Sequence, residues 1–177
     1  MRTLVVFESM FGNTETIASA VAAGLAPYLD VTVVEVGAAP TSVPDDVNLL
    51  IVGGPTHAFG MTRPDSRRSA VQQAGGSTIS RGDGIREWIS TVELVRREVP
   101  VATFDTRVNK PRVPGSAARG AARRLRRRGA RLIADPQSFY VTGTPGPLLD
   151  GEVDRARHWG ATLWAALRPV DSGLSST

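Results

Sequence analysis

Apolar positions fall along this chain in short continuous runs that alternate with stretches of helical spacing. Leu4 to Phe7 is the first run and predicts a strand covered on both faces. Behind it Ile17, Val21 and Leu25 recur at helical intervals. Val31 to Val36, rich in β-branched residues, predicts a second strand, and Asn48 to Gly54 a third. Pro40 and Pro44 lie in the crossover 37–47, which leaves room for a short or irregular helix at most. Ile85, Trp88, Ile89 and Val92 predict a helix from about Gly84, and Val99 to Phe104 a fourth strand. Ser116 is a candidate N-cap for a helix that lines up Ala117, Ala121 and Leu125 and ends at Gly129. Arg131 to Ala134 and Ser138 to Val141 predict a fifth strand interrupted at Asp135-Pro136. A last helix runs from about Gly151 to Leu167, with Val153, Ala156, Trp159, Leu163 and Leu167 inward. This places one domain over residues 1–168, with 169–177 expected to be a disordered tail.

Residues 55–83 break the rhythm, with two prolines, four glycines and few apolar anchors. Pro64-Asp65 can open a short helix toward Ala74. The segment leaves the carboxyl end of a central strand, where open α/β sheets bind ligands, so a functional loop is expected. Strands alternating with helices or short crossovers predict a parallel sheet with right-handed connections.

Composition narrows the chemistry. Of 177 residues, 41% are hydrophobic and 21% charged, as in an ordinary soluble domain. With no cysteine there is no disulfide, thiolate nucleophile or iron–sulfur ligand set, and two distant histidines, His57 and His158, argue against a histidine metal cluster. No apolar run is long enough to span a bilayer, and no basic segment with an apolar stretch opens the chain, so a cytoplasmic location is expected. The net charge of +4 is unevenly spread: residues 1–60 carry one basic and six acidic side chains, residues 107–131 ten basic and no acidic ones.

The candidate chemistry starts at the turn Ser9-Met10-Phe11-Gly12-Asn13-Thr14, between the first strand and the first helix. It puts hydroxyls and backbone N–H groups at a helix N-terminus, which has unpaired donors and a partial positive charge and suits a phosphate. Neither GxxxxGK[ST] nor GxGxxG is present there. The segment resembles the flavodoxin signature, whose constrained places are filled by Val5, Val6, Phe7, Ser9, Gly12, Thr14, Ala18 and Val21. That resemblance implies an α/β flavodoxin-like three-layer sandwich, a five-stranded parallel sheet of order 2-1-3-4-5, and FMN held by its phosphate in this loop.

On the same resemblance the flavin lies over the carboxyl ends of the first, third and fourth strands. Pro55-Thr56-His57-Ala58-Phe59-Gly60 looks like the flavin-side loop of flavodoxin-like quinone reductases, one residue longer. Phe59 or Met61 is then a candidate wall for the ring, and Thr56 and His57 candidates for its edge or the ribityl chain. His57 is equally well a plain backbone partner or a flavin contact, with an acid–base role in quinone reduction as a further option that the sequence leaves open. Asp105 and Thr106 are further candidates for ring-edge or ribityl contacts and Arg107 for the pyrimidine side. No aromatic residue occurs between Phe104 and Phe139, where electron-transfer flavodoxins commonly place a stacking tyrosine, so an open ring face is expected.

Arg119, Arg123, Arg124, Arg126, Arg127 and Arg128 crowd the next helix. A solvated face is the ordinary meaning of such a run, and docking of an acidic protein on Arg119–Arg128 the sharper one. Nucleic acid is disfavoured, since no aromatic-interleaved surface or recognition motif accompanies the run. Three functions remain open at this point: an electron carrier with a redox partner protein, an NAD(P)H-dependent reductase of a small quinone-like acceptor, and a flavin-free binding module.

Overall fold

In the computed structural model, which describes residues 1–57, 60–110 and 114–167, the alternation of runs becomes an α/β sandwich of three layers. The chain passes in order through β1 (Arg2–Phe7), α1 (Asn13–Leu25), β2 (Asp30–Glu35), a 3-10 turn (Val36–Ala38), β3 (Ser42–Val43) and β4 (Val47–His57). Then come β5 (Gly60–Met61), α2 (Pro64–Gln73), α3 (Ile85–Thr91), β6 (Glu93–Leu94) and β7 (Pro100–Val108). The last elements are α4 (Ala117–Arg127), β8 (Arg131–Leu132), β9 (Gln137–Val141) and α5 (Glu152–Leu167).

β2, β1, β4 and β7 lie side by side in parallel, and β8 and β9 pair in succession along the outer edge of β7. β8 and β9 are two pieces of one fifth strand, so the expected order 2-1-3-4-5 is the observed one. The interruption falls where the sequence places it. From Leu132 to Gln137 the edge takes five steps to pass what β7 covers in three, Val101 to Phe104, and the surplus bulges out around Pro136. β5 folds back antiparallel on the end of β4, and β3 and β6 form a separate two-stranded pair.

Strand alternation sorts the core into two halves. Leu4, Val6, Leu50, Val52 and Val101 pack with Ile85, Trp88, Ile89, Ala121 and Leu125, on the side of α3 and α4. Val5, Phe7, Leu49, Ile51 and Phe104 pack with Ile17, Val21, Leu25, Ala156 and Leu163, on the side of α1 and α5. Each fully buried aliphatic or aromatic side chain contributes about 1.5–3 kcal/mol relative to exposure. Val153, Trp159 and Leu167 of the expected inner face of α5 pack against the second half of the core. The contact of α1 with α5 depends on two glycines. A Cβ on Gly24 would stand 2.0 Å from the Arg157 carbonyl oxygen, and one on Gly160 2.3 Å from that of Val21.

Two expectations need correcting. β4 continues to His57 and β7 to Val108, beyond the apolar runs that predict them. The ladder goes on because Gly54 pairs with Asp105 and Pro55 with Thr106, although neither pair is hydrophobic. Pro55 to His57 and Asp105 to Arg107 therefore sit on strand ends, not in loops. The expected tail 169–177 and Phe59 lie outside the described residues.

Candidate functional site

The carboxyl ends of β1, β4 and β7 open into a cleft of about 420 Å³. Ser9, Met10, Phe11, Asn13 and Thr14 line it from the first loop, Pro55, Thr56 and His57 from β4, and Thr106, Arg107 and Val108 from β7. Ser66, Ser69, Ala70 and Gln73 of α2 close one side, and Val141 at the end of β9 and Thr144 just beyond it stand opposite.

The first loop is shaped by its own groups. Gly12 takes the left-handed conformation, φ 91°, as the N-cap of α1, a position that suits glycine, and it has no side chain of its own to cap the helix. Buried Ser9 turns its hydroxyl back into the loop, where Oγ accepts from the Gly12 N–H at 3.1 Å and the Glu15 N–H at 3.4 Å. With its oxygen so used, the hydroxyl proton is what Ser9 has left to offer. The Gly12 carbonyl is taken by Thr16 through both N–H and hydroxyl. The first-turn N–H groups of Asn13 and Thr14 have no protein acceptor among the described residues. The Thr14 hydroxyl meets that of Thr106 at 2.7 Å, a buried pair that shares one proton and keeps a second to donate. Thr106 thus stands on the first-loop side of the cleft, joined to Thr14.

On the β4 and β7 side the polar groups are committed elsewhere. One carboxyl oxygen of Asp105, Oδ2, accepts from the Thr56 hydroxyl (2.9 Å), the Ser116 hydroxyl (2.6 Å) and the Ala118 N–H (3.0 Å). Thr56 Oγ1 accepts the Ala117 N–H, and Ser116, the expected N-cap, accepts the Arg119 N–H. Asp105 is wholly buried beneath the start of α4, its carboxyl held by Ser116 and Ala118, and does not line the cleft. Thr56 lines the cleft with its hydroxyl turned away. Met61 is not a cleft wall, since its pairing with Thr56 sends the side chain into the core against Gly120 of α4. Gly60 forms the β5 turnback opposite His57.

Charge beneath the cleft is concentrated in one cluster. Burial pushes the Glu8 carboxyl above its usual range, against the opposing pull of hydrogen bonds from the Thr62 hydroxyl and the Ile85 N–H and of nearby Arg67. The buried Arg67 guanidinium bridges Thr62 and Glu87 at 3.0 Å each. Desolvation of Glu87 is outweighed by hydrogen bonds from the Gly84 N–H and Arg67, so its pKa falls. Burial lowers the pKa of His57, which favours the neutral imidazole. Arg107 bonds the Gly115 carbonyl at 2.8 Å from the cleft rim. The α4 arginines lie apart from the cleft. Arg119, Arg123 and Arg126 line a separate groove with Arg131, Glu98 and Asp135, and Arg128 reaches back to the Ser90 and Val92 carbonyls. Among the described residues no cluster of histidine and acidic side chains could hold a metal, and no helix is long and apolar enough to cross a membrane.

Solved structures share this architecture. An archaeal flavodoxin aligns over 94% of this chain and 99% of its own at a TM-score of 0.64 and 18% identity. Flavodoxin 1 of Bacillus cereus does so over 93% and 98%, at 0.66 and 18%. A WrbA-like flavodoxin from Agrobacterium tumefaciens covers 94% and 97%, at 0.58 and 17%. The chain has the flavodoxin-like fold. No protein-family model and no curated protein sequence matches it.

Within this flavodoxin-like frame, most of the predicted site residues come together at one cleft. The exceptions among the described ones are Gly12, which shapes the loop, Gly60, and Asp105, which serves α4. What sequence reasoning missed is the contribution of α2, together with Val108, Val141 and Thr144. α2 is legible as a helix from Pro64, but its cleft side is polar and carries no apolar stripe to announce it.

Proposed function

We propose that this protein binds FMN in the cleft and works as a redox protein through it. The observation that carries the reading is the open start of α1, where Asn13 and Thr14 N–H groups, the Ser9 hydroxyl and the Thr14–Thr106 hydroxyl pair supply donors around one small volume. That donor set fits a dianionic phosphate and contains no fixed positive side chain. The name flavodoxin carried by structural neighbours supports the same cofactor. Bound FMN supplies a ring that accepts and releases electrons. The chain's own part is to hold the phosphate at the first loop, to keep water from the β4 side with Pro55, and to place neutral His57 at the rim.

The test is titration of the purified protein with FMN, read by flavin fluorescence, the visible spectrum and thermal stability. Saturable quenching with a rise in melting temperature is expected. No quenching and no stabilisation would leave the cleft to another phosphate ligand.

A two-electron reaction with a small quinone-like acceptor is the second reading. It is favoured by Val108 and Val141, which give the far wall of the cleft small aliphatic groups with, among the described residues, no aromatic cover on that wall. NAD(P)H-dependent reduction of a benzoquinone by the FMN-loaded protein is its measurement.

A further inference from the structure

An anion loop has to present N–H groups inward and keep its carbonyl oxygens out, because a carbonyl turned toward a phosphate repels it. In this chain the last sheet bond of the first strand is Glu8 N–H to the Gly53 carbonyl, so neither β1 nor α1 controls the carbonyls of Ser9 and Met10. A distant segment does. The Ser80 N–H bonds the Ser9 carbonyl at 2.8 Å, and the Ile79 N–H bonds that of Met10 at 3.3 Å. The Ser9 N–H is in turn accepted by the Ser80 hydroxyl at 2.9 Å. That hydroxyl donates to Glu35 Oε1 at the end of β2, 2.6 Å away, so its proton is committed and its lone pair faces Ser9. Thr78, also buried, bonds the Ser80 carbonyl and stiffens the turn. The segment stays out of the cleft. It lies on the outer side of the loop, where Ser77, Thr78, Ile79 and Arg81 share a hollow with Met10 and Phe11.

We propose that residues 77–81 are a positioning strap for the phosphate loop, with Ser80 as its central residue and Glu35 as the group that orients it. The strap draws two carbonyls outward before any ligand arrives, so that phosphate meets a preformed ring of donors. This rests on the FMN reading given above, and it assigns a role to a segment that touches no ligand.

Ser80→Ala removes the acceptor for Ser9 and the link to Glu35, and Ser80→Thr keeps both. FMN is expected to bind Ser80→Ala about tenfold more weakly. Riboflavin, which has the ring but no phosphate, should bind it as it binds the parent. Ser80→Thr should bring FMN back to within about threefold of the parent. In flavin-free protein, amide hydrogen exchange from Ser9 to Thr14 should speed up in Ser80→Ala and not in Ser80→Thr. Should Ser80→Ala fold poorly, Glu35→Gln leaves the backbone bonds in place and is expected to weaken FMN about threefold, again sparing riboflavin. Unchanged FMN affinity in both variants, or equal losses for FMN and riboflavin, overturns the strap. A parent protein that binds no FMN refutes the cofactor reading instead, and unaltered exchange at Ser9 to Thr14 then refutes the strap separately.

Discussion

Two helices, α1 and α4, begin at the carboxyl end of the sheet, and their N-termini have opposite fates. At α4 the chain satisfies the end itself: Thr56 accepts the Ala117 N–H, Asp105 the Ala118 N–H and Ser116 the Arg119 N–H. At α1 the cap is Gly12, which has no side chain to offer, and the Asn13 and Thr14 N–H groups are left for something else. Both ends are built from Ser, Thr, Asp or Asn, and both follow a strand. A helix N-terminus becomes an anion site only where the protein has not already supplied the acceptors.

The largest effect that would break this contrast is at the closed end. Asp105→Ala strips one oxygen of three donors, and is expected to cost about 3 kcal/mol of stability. Urea denaturation measures it, and a loss under about 1 kcal/mol would mean that α4 does not depend on this carboxyl. At the open end, Thr14→Val should weaken FMN about tenfold, or about 1.4 kcal/mol, with riboflavin affinity unchanged. Equal effects on the two flavins would place the phosphate elsewhere. Ser116→Ala should lower stability by about 1 kcal/mol, as for other N-caps, and leave FMN affinity within about twofold. The smallest effect concerns the acid beneath the open end. Glu8 has a folded-state pKa above its unfolded value, so its contribution is fully present below about pH 4.5 and is lost as pH rises through the raised pKa. Glu8→Gln cannot titrate, so in denaturation curves taken upward from pH 4.5 its stability should fall less steeply than the parent's. Parallel slopes would show that Glu8 titrates alike in both states.

The first loop was legible because its determinants are contiguous. Ser9, Gly12 and Thr14 lie within six residues, and a turn, a helix start and a hydroxyl spacing are local properties of a chain. The same holds for the buried strands and for the break at Asp135-Pro136. The ends of β4 and β7 were less legible, because Thr56, Asp105 and Thr106 are polar and Pro55 disfavours a central strand, and only pairing with a neighbouring strand keeps them extended. Arg128 read as one more charge in a run, yet it holds the carbonyls at the end of α3.

By itself, then, the sequence determined the order of the main elements, the α/β class, the core residues and the place of the hydroxyl-rich first loop, since each follows from local periodicity and turn chemistry. Only the tertiary structure decided which polar side chains face the cleft. Thr56 meets Asp105 across 49 residues, Ser9 meets Ser80 across 71 and Glu8 meets Ile85 across 77. A hydroxyl or carboxyl spends its hydrogen bonds on whatever lies within about 3 Å, and that neighbour is chosen by how the distant parts of the chain return to the sheet.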